Sequence, residues 1–240
     1  MKTISIAKSF CGPPTSANGG YFVGRVGNLS TQTLTVRLIQ PPPLETELEV
    51  AELAENLIEL REGEKLIAQG RPAQLDLIPP PSPGYLQAVD ASRHYYGFNQ
   101  HAFPTCFVCG PARLRGDGLR IFAGPVAGSG IVAAPWVPEP FLDRGDGKVK
   151  PEFMTAALDC PGYSAVTSGP LMLLGELTAH VDRCVHIGER CTVIGWRIGR
   201  SGRRHIAGTA VFDDEDELCA RAQATWIEPS SPAQFKQSSA

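Results

Sequence analysis

The order of elements in this 240-residue chain predicts an α+β protein in which a helix followed by an antiparallel strand series occurs twice. Three observations predict it. The run Leu218–Ile227 alternates well, with Leu218, Ala220, Ala222, Ala224 and Trp226 on one face and Arg221, Gln223 and Thr225 on the other. That is the period of a half-buried antiparallel strand. A helix-start signal stands before each of two strand series, and Pro79-Pro80-Pro81-Ser82-Pro83-Gly84 between them has the composition of a linker.

The elements follow in order. Gly12-Pro13-Pro14-Thr15-Ser16 precedes a helix expected over about 18–29, with Thr15 or Ser16 as its cap. Strand-like runs then lie at 34–38, 41–50, 56–60 and 66–77, the last two separated by the turn Arg61-Glu62-Gly63-Glu64-Lys65. A short amphipathic segment, 85–96, is expected to dock as a surface helix. The second helix starts after the polar loop 143–148, with Pro151 in its first turn, and runs from Glu152 toward Val166. Pro161 inside it is expected to bend or end it. Strands at 177–181, 191–198, 205–212 and 218–227 complete the second series, with a turn at 199–204. The division expected is a first unit over 1–78, a linker with a short helix over 79–100, a second unit over 101–228 and a disordered-type tail over 229–240.

Composition narrows the function classes. Hydrophobic content of 42 % with 20 % charged residues is that of an ordinary globular protein. A net charge of −3 gives no electrostatic reason to expect nucleic acid or an anionic membrane as partner. Apolar runs stay short of the roughly 18 residues a membrane span needs. The opening Met1-Lys2-Thr3-Ile4-Ser5-Ile6-Ala7-Lys8 is too interrupted for a signal peptide. Seven cysteines, an odd number at irregular spacing, point to reduced thiols and a cytoplasmic address.

The second half contains, in order, Cys106-Phe107-Val108-Cys109-Gly110, Gly118-Leu119-Arg120-Ile121 and Met154-Thr155-Ala156-Ala157-Leu158-Asp159. The first half carries Ser16-Ala17-Asn18-Gly19-Gly20. This order resembles the opening motif and helix signature of the hotdog-fold acyl-CoA thioesterases. The resemblance implies a tandem double hotdog, each unit a central helix wrapped by an antiparallel sheet. It also implies a coenzyme A ester as the small-molecule partner and no cofactor. The strand edges and faces that such a chain leaves available lead us to expect a homodimer of double hotdogs.

In that family a His or Asn followed by two glycines opens the helix, and an acid follows nine positions on. Here Asn18-Gly19-Gly20 matches the start, but Gly27 stands where the acid belongs. Asp159 matches the acid, but Lys150-Pro151-Glu152 stands at its own helix start. Nine helical residues span about 13 Å, too far for both parts of one helix to touch one carbonyl. The resemblance implies sites built from one unit's helix start and the facing unit's acid. One complete site is therefore expected, with Asp159 as general base or nucleophile and the backbone N–H groups of Gly19 and Gly20 as an oxyanion hole. Asn18 would orient carbonyl or water, and Thr178 would hold water near Asp159.

Plainer roles are open for each residue. Asn18-Gly19-Gly20 also suits a turn, Asp159 beside Cys160-Pro161-Gly162 suits a helix end, and Thr178 suits an ordinary strand. Arg200, Arg203 and Arg204 would meet coenzyme A phosphates or sit on a solvated hairpin turn. Cys106 and Cys109 supply one pair where a structural zinc site takes four ligands, and His101 is the sole further candidate nearby, so no metal is expected. No His stands at either helix start, which disfavours a dehydratase. The rival to a hydrolase is a non-catalytic acyl-binding or scaffold protein with a degenerate site.

Overall fold

The computed structural model describes residues 2–167 and 171–230. Among these, eleven strands form a single sheet in which every neighbouring pair is antiparallel. The strands are β1 (Lys2–Ile4), β2 (Leu34–Leu38), β3 (Leu48–Glu52), β4 (Ile58–Glu62), β5 (Lys65–Pro72), β6 (Gly124–Pro125), β7 (Ile131–Trp136), β8 (Leu173–Val181), β9 (Cys191–Ser201), β10 (Arg204–Phe212) and β11 (Leu218–Ile227). Their spatial order is β1-β3-β4-β5-β2-β8-β11-β10-β9-β7-β6. Strands of the first half thus fill one end and strands of the second half the other. They meet at a short ladder, Thr35 opposite Thr178, Val36 opposite Leu177 and Arg37 opposite Glu176.

The helices are α1 (Gly19–Gly27), α2 (Tyr85–Ser92), α3 (Pro151–Ala157) and α4 (Cys160–Val166). The segment expected as one bent helix is two, broken at Leu158 and Asp159. The cause is Pro161: its ring would collide with the carbonyl of Ala157, the last residue of α3, whereas a first-turn position in α4 accepts it. α1 packs against α3, and both lie over the β2–β8 junction, while α4 lies over β9 and β10.

Alternation along the strands assigns the two faces. Val193 and Ala134 point into the main core, with Phe22, Leu60, Ile67 and Met154. Ile131, Ala133 and Ile194 point the other way, onto Ala88 and Ala91 of α2. The linker helix therefore docks on the second half, and Ser82 Oγ bonds Asp216 Oδ1 at 2.6 Å beside it. β5 ends at Pro72, short of the expected 77, with a last bond to the other strand from the Ala73 N–H to the Thr33 carbonyl at 2.9 Å. Of the expected tail, 231–240 lies outside the described residues. No helix among the described residues is long and apolar enough to cross a membrane.

Candidate active site

The start of α1 is held from several sides before any chemistry is considered. The Asn18 N–H donates to the Phe10 carbonyl at 2.8 Å, and the Ala17 N–H to the Pro42 carbonyl at 2.9 Å. Asn18 is the N-cap: its Oδ1 accepts the Tyr21 N–H at 2.9 Å. Its other end is thereby aimed outward. Asn18 Nδ2 donates to Asp159 Oδ2 at 2.7 Å, and the Gly20 N–H donates to the same oxygen at 3.0 Å. Aspartate would cap as well but has no hydrogen to donate, and a serine or threonine hydroxyl would have to accept and donate through one short-reaching oxygen, whereas asparagine does so through two separate atoms.

Asp159 arrives from the α3–α4 break and is 3 % exposed. Its Oδ2 takes both donors, while its Oδ1 has no partner among the described residues. Burial raises its carboxyl to about 7, against the hydrogen bonds from Gly20 and Asn18, which favour the ionised form. The acid therefore sits at the positive end of α1, anchored through one oxygen.

Asn18, Gly19 and Asp159 line a cavity of about 270 Å³. Its other walls are mostly apolar: Leu38 at the end of β2 and Ile39 after it, Leu173 and Leu174 in β8, Trp226 in β11, and the rings of Tyr96 and Tyr163. The Tyr96 and Tyr163 hydroxyls hydrogen-bond each other, and burial raises both phenols. These wall residues come from five separate segments that only the fold brings together.

The two glycines play different parts. Gly20 faces α3, where a Cβ would stand 2.5 Å from Asp159 Cβ and 3.2 Å from Ala156 Cα. Its N–H is already taken by Asp159, so the expected oxyanion-hole donor at this position is engaged. The Gly19 N–H meets no acceptor among the described residues, and Gly19 lines the cavity. Thr178 is not among the cavity residues: its Oγ1 bonds Thr35 Oγ1 at 2.6 Å across the β2–β8 ladder. The expected water-holding role does not fit there, because register puts the threonine in the seam between the half-sheets.

At the counterpart helix start, Lys150 makes no side-chain cap and Pro151 has no N–H to offer an anion. Gly27 has open space where a Cβ would be, and the neighbouring Asn28 donates to Glu152 Oε2 at 3.0 Å. Lys150→Ala is expected to change turnover by less than about twofold, as for a surface side chain outside the site, in a steady-state assay.

Beside Asp159 the cavity wall carries Cys106, Cys109 and Cys160, whose three Sγ atoms lie within 4.8 Å of one another. Cys106 Sγ is 3.8 Å from Cys160 Sγ and 3.8 Å from Asn18 Nδ2. His101 Nε2 is 3.3 Å from Cys109 Sγ. All seven cysteines are free of disulfide. Sequence offered Cys106, Cys109 and His101 but not Cys160, which lies 54 residues from Cys106 along the chain.

The Arg200–Arg204 hairpin turn is exposed and tied to its own strand ends: Arg200 Nη2 reaches Glu228 Oε1 at 3.3 Å, and Arg203 Nη1 donates to the Glu228 carbonyl at 2.9 Å. Glu228 stands between Ile227 and Pro229, both cavity residues.

No protein-family model and no curated protein sequence matches the chain. Solved structures do. The tesB protein of Mycobacterium avium subs paratuberculosis superposes with a TM-score of 0.60 at 11 % identity, over 95 % of this chain and 92 % of that one. A conserved protein with a hot dog fold from Alicyclobacillus acidocaldarius gives a TM-score of 0.60 at 12 % identity, over 95 % and 93 %. A Novosphingobium aromaticivorans protein, whose description as a thioesterase is itself an assignment, gives 0.57 at 12 % identity, over 95 % of both chains. Likeness end to end at so low an identity is likeness of architecture, and on it the chain has the hotdog fold.

Proposed function

We propose that the chain is two hotdog units in tandem, over about 1–78 and 101–228, acting as an acyl-CoA thioesterase-like hydrolase with one composite site between them. One observation carries this. The buried carboxylate of Asp159, from the second half, is bonded to Asn18 and Gly20 at the helix start of the first half, on the wall of an apolar cavity. The description of a fold neighbour as a thioesterase supports the reaction class.

The chemistry follows from the anchoring. Asn18 and Gly20 fix one carboxylate oxygen, leaving Oδ1 for the reaction. An acyl chain lies along Leu38, Leu174 and Trp226, with its thioester carbonyl oxygen toward the Gly19 N–H. Asp159 takes a proton from a water that attacks the carbonyl carbon. The tetrahedral intermediate then expels the thiolate, which recovers the proton, and the products are acid and thiol.

The test is a hydrolysis screen of the purified chain over acyl-CoA esters of increasing length, read by release of free thiol. Turnover of some esters is expected; binding without turnover across the set would leave the acyl-binding protein in its place. For coenzyme A as carrier, Arg203→Glu is expected to raise KM for acyl-CoA several-fold while sparing kcat. The same acyl group on a pantetheine fragment lacking the nucleotide should be unaffected. A second copy of the chain is the expected partner, since among the described residues the sheet leaves the outer edges of β1 and β6 unpaired. Light scattering is expected to give twice the chain mass, and a monomer at all concentrations would refute the dimer. The free thiols suit a reducing compartment such as the cytoplasm.

A further inference from the structure

We propose that Cys106, Cys109 and Cys160 bind one zinc ion through their thiolates, with the fourth coordination position facing the cavity. The inference goes beyond the hydrolase assignment and does not depend on it.

Spacing comes first. A tetrahedral zinc with metal–sulfur bonds of about 2.3 Å has sulfur–sulfur edges of about 3.8 Å. The Cys106–Cys160 separation is 3.8 Å, and Cys109 Sγ completes a triangle within 4.8 Å. Three buried thiols that merely filled space would have no reason to converge on one point from two distant segments.

The loop has the form such a site requires. Cys106-Phe107-Val108-Cys109-Gly110 is a tight turn that brings both of its cysteines to one point. The Gly110 N–H returns to the Cys106 carbonyl at 2.9 Å. A Cβ at Gly110 would stand 2.5 Å from both the Cys106 and Pro104 carbonyl oxygens, so the tight turn requires glycine. Asn18 Nδ2 approaches Cys106 Sγ at 3.8 Å, a donor placed to support a thiolate ligand. Soft thiolates select zinc over hard cations.

His101 looks like a fourth ligand, but its hydrogen bonds argue otherwise. Its Nδ1 accepts the Phe103 N–H at 3.0 Å, so the neutral ring carries its proton on Nε2. That Nε2–H points at Cys109 Sγ, 3.3 Å away, as a donor to sulfur rather than a lone pair for a metal. The ligand set is therefore three thiolates. Because all three cysteines line the cavity, the remaining position opens toward whatever enters it. The ion would tie the Cys106–Gly110 loop to the first turn of α4, one residue from Asp159.

The full chain, purified without chelator, is expected to contain about one zinc per chain by elemental analysis, with no substrate present. Cobalt added to the metal-free chain should give the intense thiolate-to-cobalt charge-transfer absorption of a multi-thiolate site. This reading needs no variant and so survives a folding defect in one. Cys160→Ser should lower the zinc content to near zero, Cys184→Ser should leave it whole, and His101→Ala should keep the metal. Zinc absent from the wild-type chain together with no charge-transfer band, or copper in its place, would overturn the proposal. Loss of metal in His101→Ala equal to that in Cys160→Ser would overturn the three-thiolate set.

Discussion

Asp159→Asn is expected to lower kcat/KM toward hydrolysed thioesters by a factor on the order of 10² or more, equivalent to at least about 2.7 kcal/mol of lost transition-state stabilisation. The substitution is nearly isosteric. The new side-chain carbonyl takes the place of Oδ2 and accepts the same two donors, Asn18 Nδ2 and the Gly20 N–H. What disappears is the second carboxylate oxygen, Oδ1, which has no partner among the described residues. The melting temperature should hold or rise, because a buried carboxylate no longer has to be accommodated in the ionised form. Activity lost at unchanged stability is what separates a base or nucleophile from a helix-ending acid. Wild-type turnover in this variant would refute the assigned role of Asp159 and leave the cavity as a binding pocket.

How far the sequence was legible depended on how each element meets solvent. β11 was clear because one of its faces is buried and the other half-exposed, so alternation is written into Leu218–Ile227. β7 was missed because both of its faces are covered, one by α2 and the other by the main core. Its sequence, Ile131-Val132-Ala133-Ala134-Pro135-Trp136, therefore carries no alternation, and Pro135 argues against a strand. β6 was missed because it is two residues long. Pro161 marked the bend of the second helix correctly, but not that the chain would stop and restart there. That restart turns Asp159 from a mid-helix residue into a buried side chain facing the other half.

The site was legible in part for a related reason. Asn18 and Asp159 were found through motif fragments, and the structure places them in direct contact. Thr178 pairs with Thr35 at the seam between the half-sheets and is not among the cavity residues. Cys160 could not be joined to Cys106 and Cys109, because nothing local links residues so far apart; the helix break brings them together. Gly20 was read for its amide, whereas the fold requires it chiefly for its missing side chain.

That last point gives a second large effect. Gly20→Ala is expected to destabilise the protein by about 2 kcal/mol, within the usual range for overpacking a tight interface. The new Cβ would stand 2.5 Å from Asp159 Cβ, 3.1 Å from the Thr155 carbonyl oxygen and 3.2 Å from Ala156 Cα. These are backbone atoms and a Cβ, with no flexible end to swing aside, so α1 must lift from α3. The gain of about 1 kcal/mol from alanine's better helix propensity is already set against that figure. For a chain of this size the melting temperature should fall roughly 4–8 °C. Because the obstacle is Asp159 itself, the 3.0 Å bond from the Gly20 N–H should open, with activity falling along with stability. Two neighbours separate these effects. Gly24→Ala meets Glu152 Cα at 2.6 Å, one turn from the acid, and should cost stability while sparing turnover per folded molecule. Gly27→Ala meets nothing within 4 Å and should raise the melting temperature by roughly 2–4 °C through propensity alone. Thermal melts of the three variants side by side, with turnover measured on the folded fraction, are the check. Gly20→Ala melting with Gly27→Ala rather than with Gly24→Ala would mean that α1 and α3 are not pressed together at Asp159, and the composite site would lose its geometric basis.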